Sequence, residues 1–180
     1  NLTVNAVGIT QASALSVGGT SAFDGGAGVI TLDTPSNAFT GGVSLTNSGL
    51  NDVSLINAGA TVIGTSNVGR NLTVTSGGSI TQSGAIKVAG TSSFTADTAV
   101  ATAVDITLIG FDNDFTGAVT IATANAATLR DLGLRNVNAA ATLPAVPTGL
   151  RNLNLELPAT AIDIPSVTLT GSLTVDAGGN

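Results

Sequence analysis

The chain contains no Cys, His, Trp, Tyr or Met, and carries only 5 Lys and Arg against 11 Asp and Glu in 180 residues. Each absence closes a class of function. Without His there is no imidazole base, so Ser-His-Asp and Cys-His catalysis are excluded. Without His or Cys, a zinc or iron–sulfur centre has none of its ordinary ligands. A net charge of −6 argues against a surface that neutralises nucleic-acid phosphates. The lack of Cys fits a cytosolic chain, or a secreted one that does without disulfides. No run approaches the roughly 18 to 20 apolar residues needed to span a bilayer, so no membrane insertion is expected. With 5 Pro and no three-residue glycine period, collagen is excluded. At 9% charged and 43% apolar, the chain is not a charged disordered tail. There is neither an initiator Met nor a charged and apolar leader at Asn1, so a mature product or a cut fragment is expected.

What is present is concentrated in few residue types. Thr (27), Ala (26), Gly (23), Ser (15) and Asn (15) supply 106 of the 180 residues, and the apolar remainder is mostly Leu, Val and Ile. These residues repeat. Asn1-Leu-Thr-Val4 through Phe23 returns as Asn71-Leu-Thr-Val74 through Phe94, and Ile30-Thr-Leu32 returns as Ile106-Thr-Leu108. Asn37-Ala-Phe-Thr-Gly41 returns as Asn113-Asp-Phe-Thr-Gly117, and Leu50 to Asn57 returns as Leu129 to Asn136. The offset grows from 70 to 76 to 79, so insertions fall between elements while the elements persist. The repeat units are about 1–70 and 71–171, with a third starting at 172–180 through Leu173-Thr-Val175 and Gly178-Gly179. The whole 1–180 stretch therefore reads as a single segment, a slice of a longer array.

Within each unit the pattern is strand, turn, strand. Leu2–Val4, Val29–Leu32, Val43–Leu45, Val53–Leu55, Leu72–Val74, Ile86–Val88, Ile106–Leu108, Val119–Ile121, Leu153–Leu157 and Val167–Leu169 alternate apolar with polar residues. That period of two predicts strands with one buried face. Gly-Gly, Ser-Gly and Ser-Asn clusters separate them and supply turns. No window shows helical spacing, and the Ala-rich stretch 121–127 aligns with strand material in the first copy. No two-residue Asn-Gly or Asp-Gly hairpin loop is expected between the strands, which disfavours a sandwich or barrel built from tight hairpins. A stacked coil explains the spacing better. Leu129 to Asn136 and Leu150 to Leu157 lie 21 residues apart, placing Leu132 over Leu153, Leu134 over Leu155, and Arg135 beside Glu156. At about 20 residues per coil, the expectation is an all-β parallel β-helix of about nine coils.

The repeats, with Asn-Leu-Thr-Val, Ile-Thr-Gln-Ser-Gly, Gly-Thr-Ser-Ser-Phe94 and Asn113-Asp-Phe-Thr-Gly117, resemble those of filamentous-haemagglutinin-like bacterial exoproteins. Residues 71–121 match best, 1–45 match well, and 139–165 diverge. The resemblance implies a right-handed β-helix in a long secreted or cell-surface protein of a Gram-negative bacterium, acting in adhesion, aggregation or biofilm. It transfers no catalytic residue and implies no cofactor. The expected function is a structural stalk or adhesive segment, with an extracellular filament subunit or a polysaccharide-cleaving β-helix enzyme as alternatives. Expected partners are neighbouring coils, end-to-end stacked chains, and a host or cell-surface glycan or protein.

Few side chains invite chemistry. Asp112 and Asp114, flanking Asn113, are hard oxygen ligands on a loop and form the one calcium candidate. The first copy has Ser36-Asn37 there, so a solvated turn is the plainer reading. Asp105 and Asp112 could pair as acid and base on a glycan, but aromatic sugar platforms are missing and Lys87 is the sole lysine. Thr73-Val-Thr75 and Thr168-Leu-Thr170 read as strand residues rather than an ice-binding file. Phe23, Phe39, Phe94 and Phe115 recur at equivalent places and read as interior spacers at coil corners rather than ligand platforms. Arg70, Arg130, Arg135 and Arg151 are expected on a solvated face near carboxylates. Asn1 and Asn71 open Asn-x-Thr sequences, read here as turn chemistry rather than glycosylation.

Overall fold

The computed structural model describes residues 1–178, and Gly179 and Asn180, the end of the expected third repeat, lie outside them. Among the described residues every strand pairing is parallel and no helix is formed. The strands stack as a β-solenoid, the architecture expected from the period-two pattern and the 21-residue spacing.

The turns can be followed by register. Leu2 lies beside Ser21, Ser21 beside Val43, Val43 beside Ile63, and Ile63 beside Gln82. On the same face Ile80 lies beside Ile106, then Leu132, Leu153 and Leu173. These steps are 19, 22, 20 and 19 residues, then 26, 26, 21 and 20. The solenoid therefore makes about eight turns rather than the nine expected. The reason is the pair of 26-residue turns, in which Ser92–Leu108 and Val119–Arg135 run as two 17-residue strands. Their middle portions grow outward together as a two-stranded ledge, with Ala99 to Ala103 exposed. At about 4.8 Å per strand, eight turns make a rod of roughly 38 Å.

Alternation does the sorting of side chains. Leu32, Leu55, Val74, Phe94 and Ile121 occupy one interior column on successive coils, and each is buried. Ile106, Leu132 and Leu153 form another. Phe23 packs edge-on against Phe39 with ring centroids 5.9 Å apart, and Phe94 packs likewise on Phe115 at 5.8 Å. All four rings are interior, as expected, although they lie within strands rather than at corners. Removing such columns from water is the main driving force available to a chain this poor in aromatic side chains.

The corners demand small residues. A Cβ on Gly41 would lie 2.5 Å from the Gly19 carbonyl oxygen, and a Cβ on Gly117 would lie 2.5 Å from that of Gly90. These two glycines are equivalent in the two repeats, and at both the backbones of adjacent coils leave no room for a side chain.

Two sequence readings need correction. Val167–Leu169 is not a strand; nothing between Leu157 and Leu173 is. The coil beneath it, from 136 to 151, has no strand there either, and Pro144, Pro147, Pro158 and Pro165 remove backbone donors from both coils, so no ladder can form. The sequence also holds one Asp-Gly pair, Asp24-Gly25, of the kind that closes hairpins. Here Asp24 Oδ1 accepts the Gly26 N–H at 2.9 Å, turning the chain onward to the next parallel strand.

Candidate functional site

The repeated residues converge on one kind of site, and it lies inside the solenoid. Asn37 is fully buried. Its Nδ2 donates to the carbonyls of Leu32 and Ile56 at 3.1 Å each, and its Oδ1 accepts the Leu15 N–H at 2.9 Å. Asn113 does the same in the second copy, donating to Leu108 and Arg135 carbonyls at 3.1 and 3.2 Å and accepting from the Ile86 N–H at 2.9 Å. Each Asn is held by a glutamine of the preceding coil. Asn37 Nδ2 donates to Gln11 Oε1 and Asn113 Nδ2 to Gln82 Oε1, both at 2.9 Å.

A second pair repeats the device. Asn57 Oδ1 accepts the Phe39 N–H at 2.9 Å while its Nδ2 donates to the Phe39 carbonyl at 3.1 Å. Asn136 treats Phe115 in the same way. A primary amide is the one neutral side-chain group that presents a donor and an acceptor side by side, as a strand backbone does. It therefore substitutes for a missing strand at the coil edge and satisfies backbone groups that burial would otherwise leave unpaired. Sequence reasoning aligned these residues between copies but assigned them no role, because Asn reads locally as a turn residue. The signal was available in their recurrence at offsets of 71, 76 and 79.

The outer surface is stitched by ion pairs, each joining one coil to the next. Arg70 holds Asp52 through both carboxylate oxygens, with Nε to Oδ1 at 2.6 Å. Arg130 holds Asp105 at 2.9 and 2.5 Å, and Arg151 holds Asp131 with Nε to Oδ1 at 2.9 Å. Arg130 also approaches Asp131 at 3.8 Å, so this set runs over three coils. Arg135 bridges Asp112 at 2.8 Å and Glu156 at 3.0 Å, again over three coils. The expected contact between Arg135 and Glu156 is present. Hydrogen bonding to Arg70 holds the Asp52 carboxyl below the usual range, and Arg151 does the same to Asp131.

The candidate ligands and acids fall into this framework separately. Asp112 accepts from Arg135, Asp105 from Arg130, and Asp114 from Asn138 Nδ2 at 2.6 Å. Asp112 and Asp114 thus engage different partners, and no group of three or more Asp or Glu among the described residues is arranged to hold a metal ion. Thr73 has Ser54 and Ser93 as its neighbours on adjacent coils, and Thr75 has Ile56 and Thr95, so no file of Thr pairs forms around them. Asn1 and Asn71 each accept, through Oδ1, the N–H of the residue one coil on, Thr20 at 3.0 Å and Thr91 at 2.9 Å.

No curated protein and no solved structure matches the chain. A family described as repeats of unknown function, DUF5649, matches residues 1–46 and 50–122, about two-thirds of the chain. The match includes Asn37 and Asn113 and ends within the second of the two long strands, Val119–Arg135. The chain belongs to this family of repeats, DUF5649.

Proposed function

We propose that this segment is the structural, load-carrying part of a large secreted or cell-surface bacterial adhesin, a stalk that sets binding regions away from the cell. The observation that carries the reading is where the repetition is spent. Asn37 and Asn113, Asn57 and Asn136, and Gln11 and Gln82 recur in sequence, and every one of them staples a coil to its neighbour. A chain that repeats its staples rather than a surface pattern is organised for length, because each added coil is held only by nearest neighbours. The resemblance of the repeats to filamentous-haemagglutinin-like exoproteins points the same way.

Immunogold labelling of intact cells that produce the parent protein, with antibody raised against residues 1–180, tests this. Label on the outer surface is expected. Label confined to permeabilised cells would overturn the reading.

A further inference from the structure

The solenoid commits its arginines and most of its asparagines to hydrogen bonds, so the basic and amide side chains left uncommitted stand out. All four Arg are paired with carboxylates. Among the described residues Lys87 is the only basic side chain with no carboxylate oxygen within 4.0 Å, and it makes no hydrogen bond. Of the described Asn side chains, only Asn5 and Asn67 make none. Asn67 and Lys87 are direct neighbours in register, and Lys87 is the neighbour of Asp114 on the next coil. Asp114 has one carboxylate oxygen engaged by Asn138 and the other free of protein partners.

These three side chains line one open cleft of about 260 Å³, together with Ser48, Gly69 and Thr116. A Cβ on Gly69 would collide with the Gly49 carbonyl oxygen, so the floor at this point cannot carry a side chain. A primary amide, an ammonium and a carboxylate oxygen, from Asn67, Lys87 and Asp114, are thus presented in a row along the solenoid axis, about 4.8 Å apart from coil to coil.

We propose that this cleft binds one acidic sugar residue of a glycan. Lys87 pairs with the sugar carboxylate, and Asn67 and Asp114 bond adjacent ring hydroxyls. The volume lies below the roughly 300 Å³ at which sites for drug-sized ligands begin, which suits a single ring rather than a larger molecule. The coil spacing is close to the length of one pyranose unit, so a glycan can run along the rod from this ring. No aromatic side chain lines the cleft, so it departs from the aromatic-platform mode of sugar binding and relies on charge and hydrogen bonds. Weak, salt-sensitive binding follows from that. The assignment deepens the surface reading above by naming a ligand class for it.

The test is an NMR titration of ¹⁵N-labelled residues 1–180 in 0.15 M salt with three probes: a galacturonic acid trisaccharide, its methyl ester, and a neutral galactose trisaccharide. The acid trisaccharide is expected to shift the backbone amides of Asn67, Lys87, Asp114 and Thr116, and the ester and the neutral sugar to leave them in place. Lys87→Gln should weaken binding at least tenfold, Lys87→Arg should retain it, and Arg70→Gln, which removes a paired cation elsewhere, should leave it unchanged. Absence of shifts at tens of millimolar, equal binding of the ester, or unaltered binding by Lys87→Gln would each overturn the assignment. Surface labelling of intact cells is read independently, so the cleft can fail while the stalk stands.

Discussion

Asn136 grips Phe115 on the preceding coil by both polar atoms of its amide: the Phe115 N–H donates to Oδ1 at 3.0 Å and Nδ2 donates to the Phe115 carbonyl at 2.9 Å. Asn136 is 1% exposed, so neither backbone group has water as an alternative partner. The Phe115 ring in turn packs on Phe94. One side chain thus fixes the strand edge and the register of an interior aromatic pair at once.

Removing that amide leaves a buried N–H and a buried carbonyl unpaired. Asn136→Ala and Asn57→Ala are each expected to cost about 1–3 kcal/mol in urea unfolding. Asn67→Ala, on the surface and without a protein partner, is expected to stay within about 0.5 kcal/mol of the parent. Equal stability of all three variants would show that the amides do not act as staples.

Leu132 and Leu153 stack in register and are each 1% exposed. Leu132→Ala should cost about 2–5 kcal/mol through lost burial and the cavity it leaves. Leu132→Asp and Leu153→Asp should abolish cooperative folding of the surrounding coils, because a lone carboxylate there has no partner. Circular dichroism melting of the purified variants checks this, and well-folded Asp variants at both positions would contradict it.

Acid should weaken the stack in a defined window. The carboxyls of Asp52 and Asp131 titrate lower in the folded chain than in the unfolded one, where an ordinary value of about 3.9 applies. A depressed folded value favours the native state above the unfolded pKa, and the contribution disappears as pH falls through the folded one. Melting temperature is therefore expected to be flat from pH 7 to about 5 and to decline below about 4. An Asp52→Asn, Asp131→Asn double variant should start lower at pH 7 and lose less on acidification; parallel profiles for the two proteins would refute the assignment.

The arginines should not be equivalent. Arg135 ties two carboxylates on two different coils and its side chain is 24% exposed, whereas Arg70 holds a single carboxylate and is 48% exposed. Exposed single pairs contribute little and are screened by salt. Arg135→Ala should lower the melting temperature more than Arg70→Ala, and 1 M salt should erase most of the Arg70 effect. The reverse order would show that the bridge over three coils adds nothing.

The parallel stack and much of its interior were legible in the sequence. Leu132 over Leu153 and Leu134 over Leu155 follow from alternation and a 21-residue spacing, because a strand period of two and a fixed strand separation leave one register that buries both leucines. The paired arginines were legible for the same reason: once coils are in register, Arg135 and Glu156 must be neighbours. What tertiary structure alone decided is where the chain leaves that register and what its polar residues do there. The ledge of Ala99 to Ala103 is built from the same Ala, Val and Thr as the coil faces, so nothing in its composition marks it as an outgrowth, and the turn count changed from nine to eight on its account. Asn57 and Asn67 are the same residue type in similar local surroundings. Only the position of Phe39 one coil below makes the first a buried clamp, and only the gap beside Gly69 leaves the second facing an open cleft.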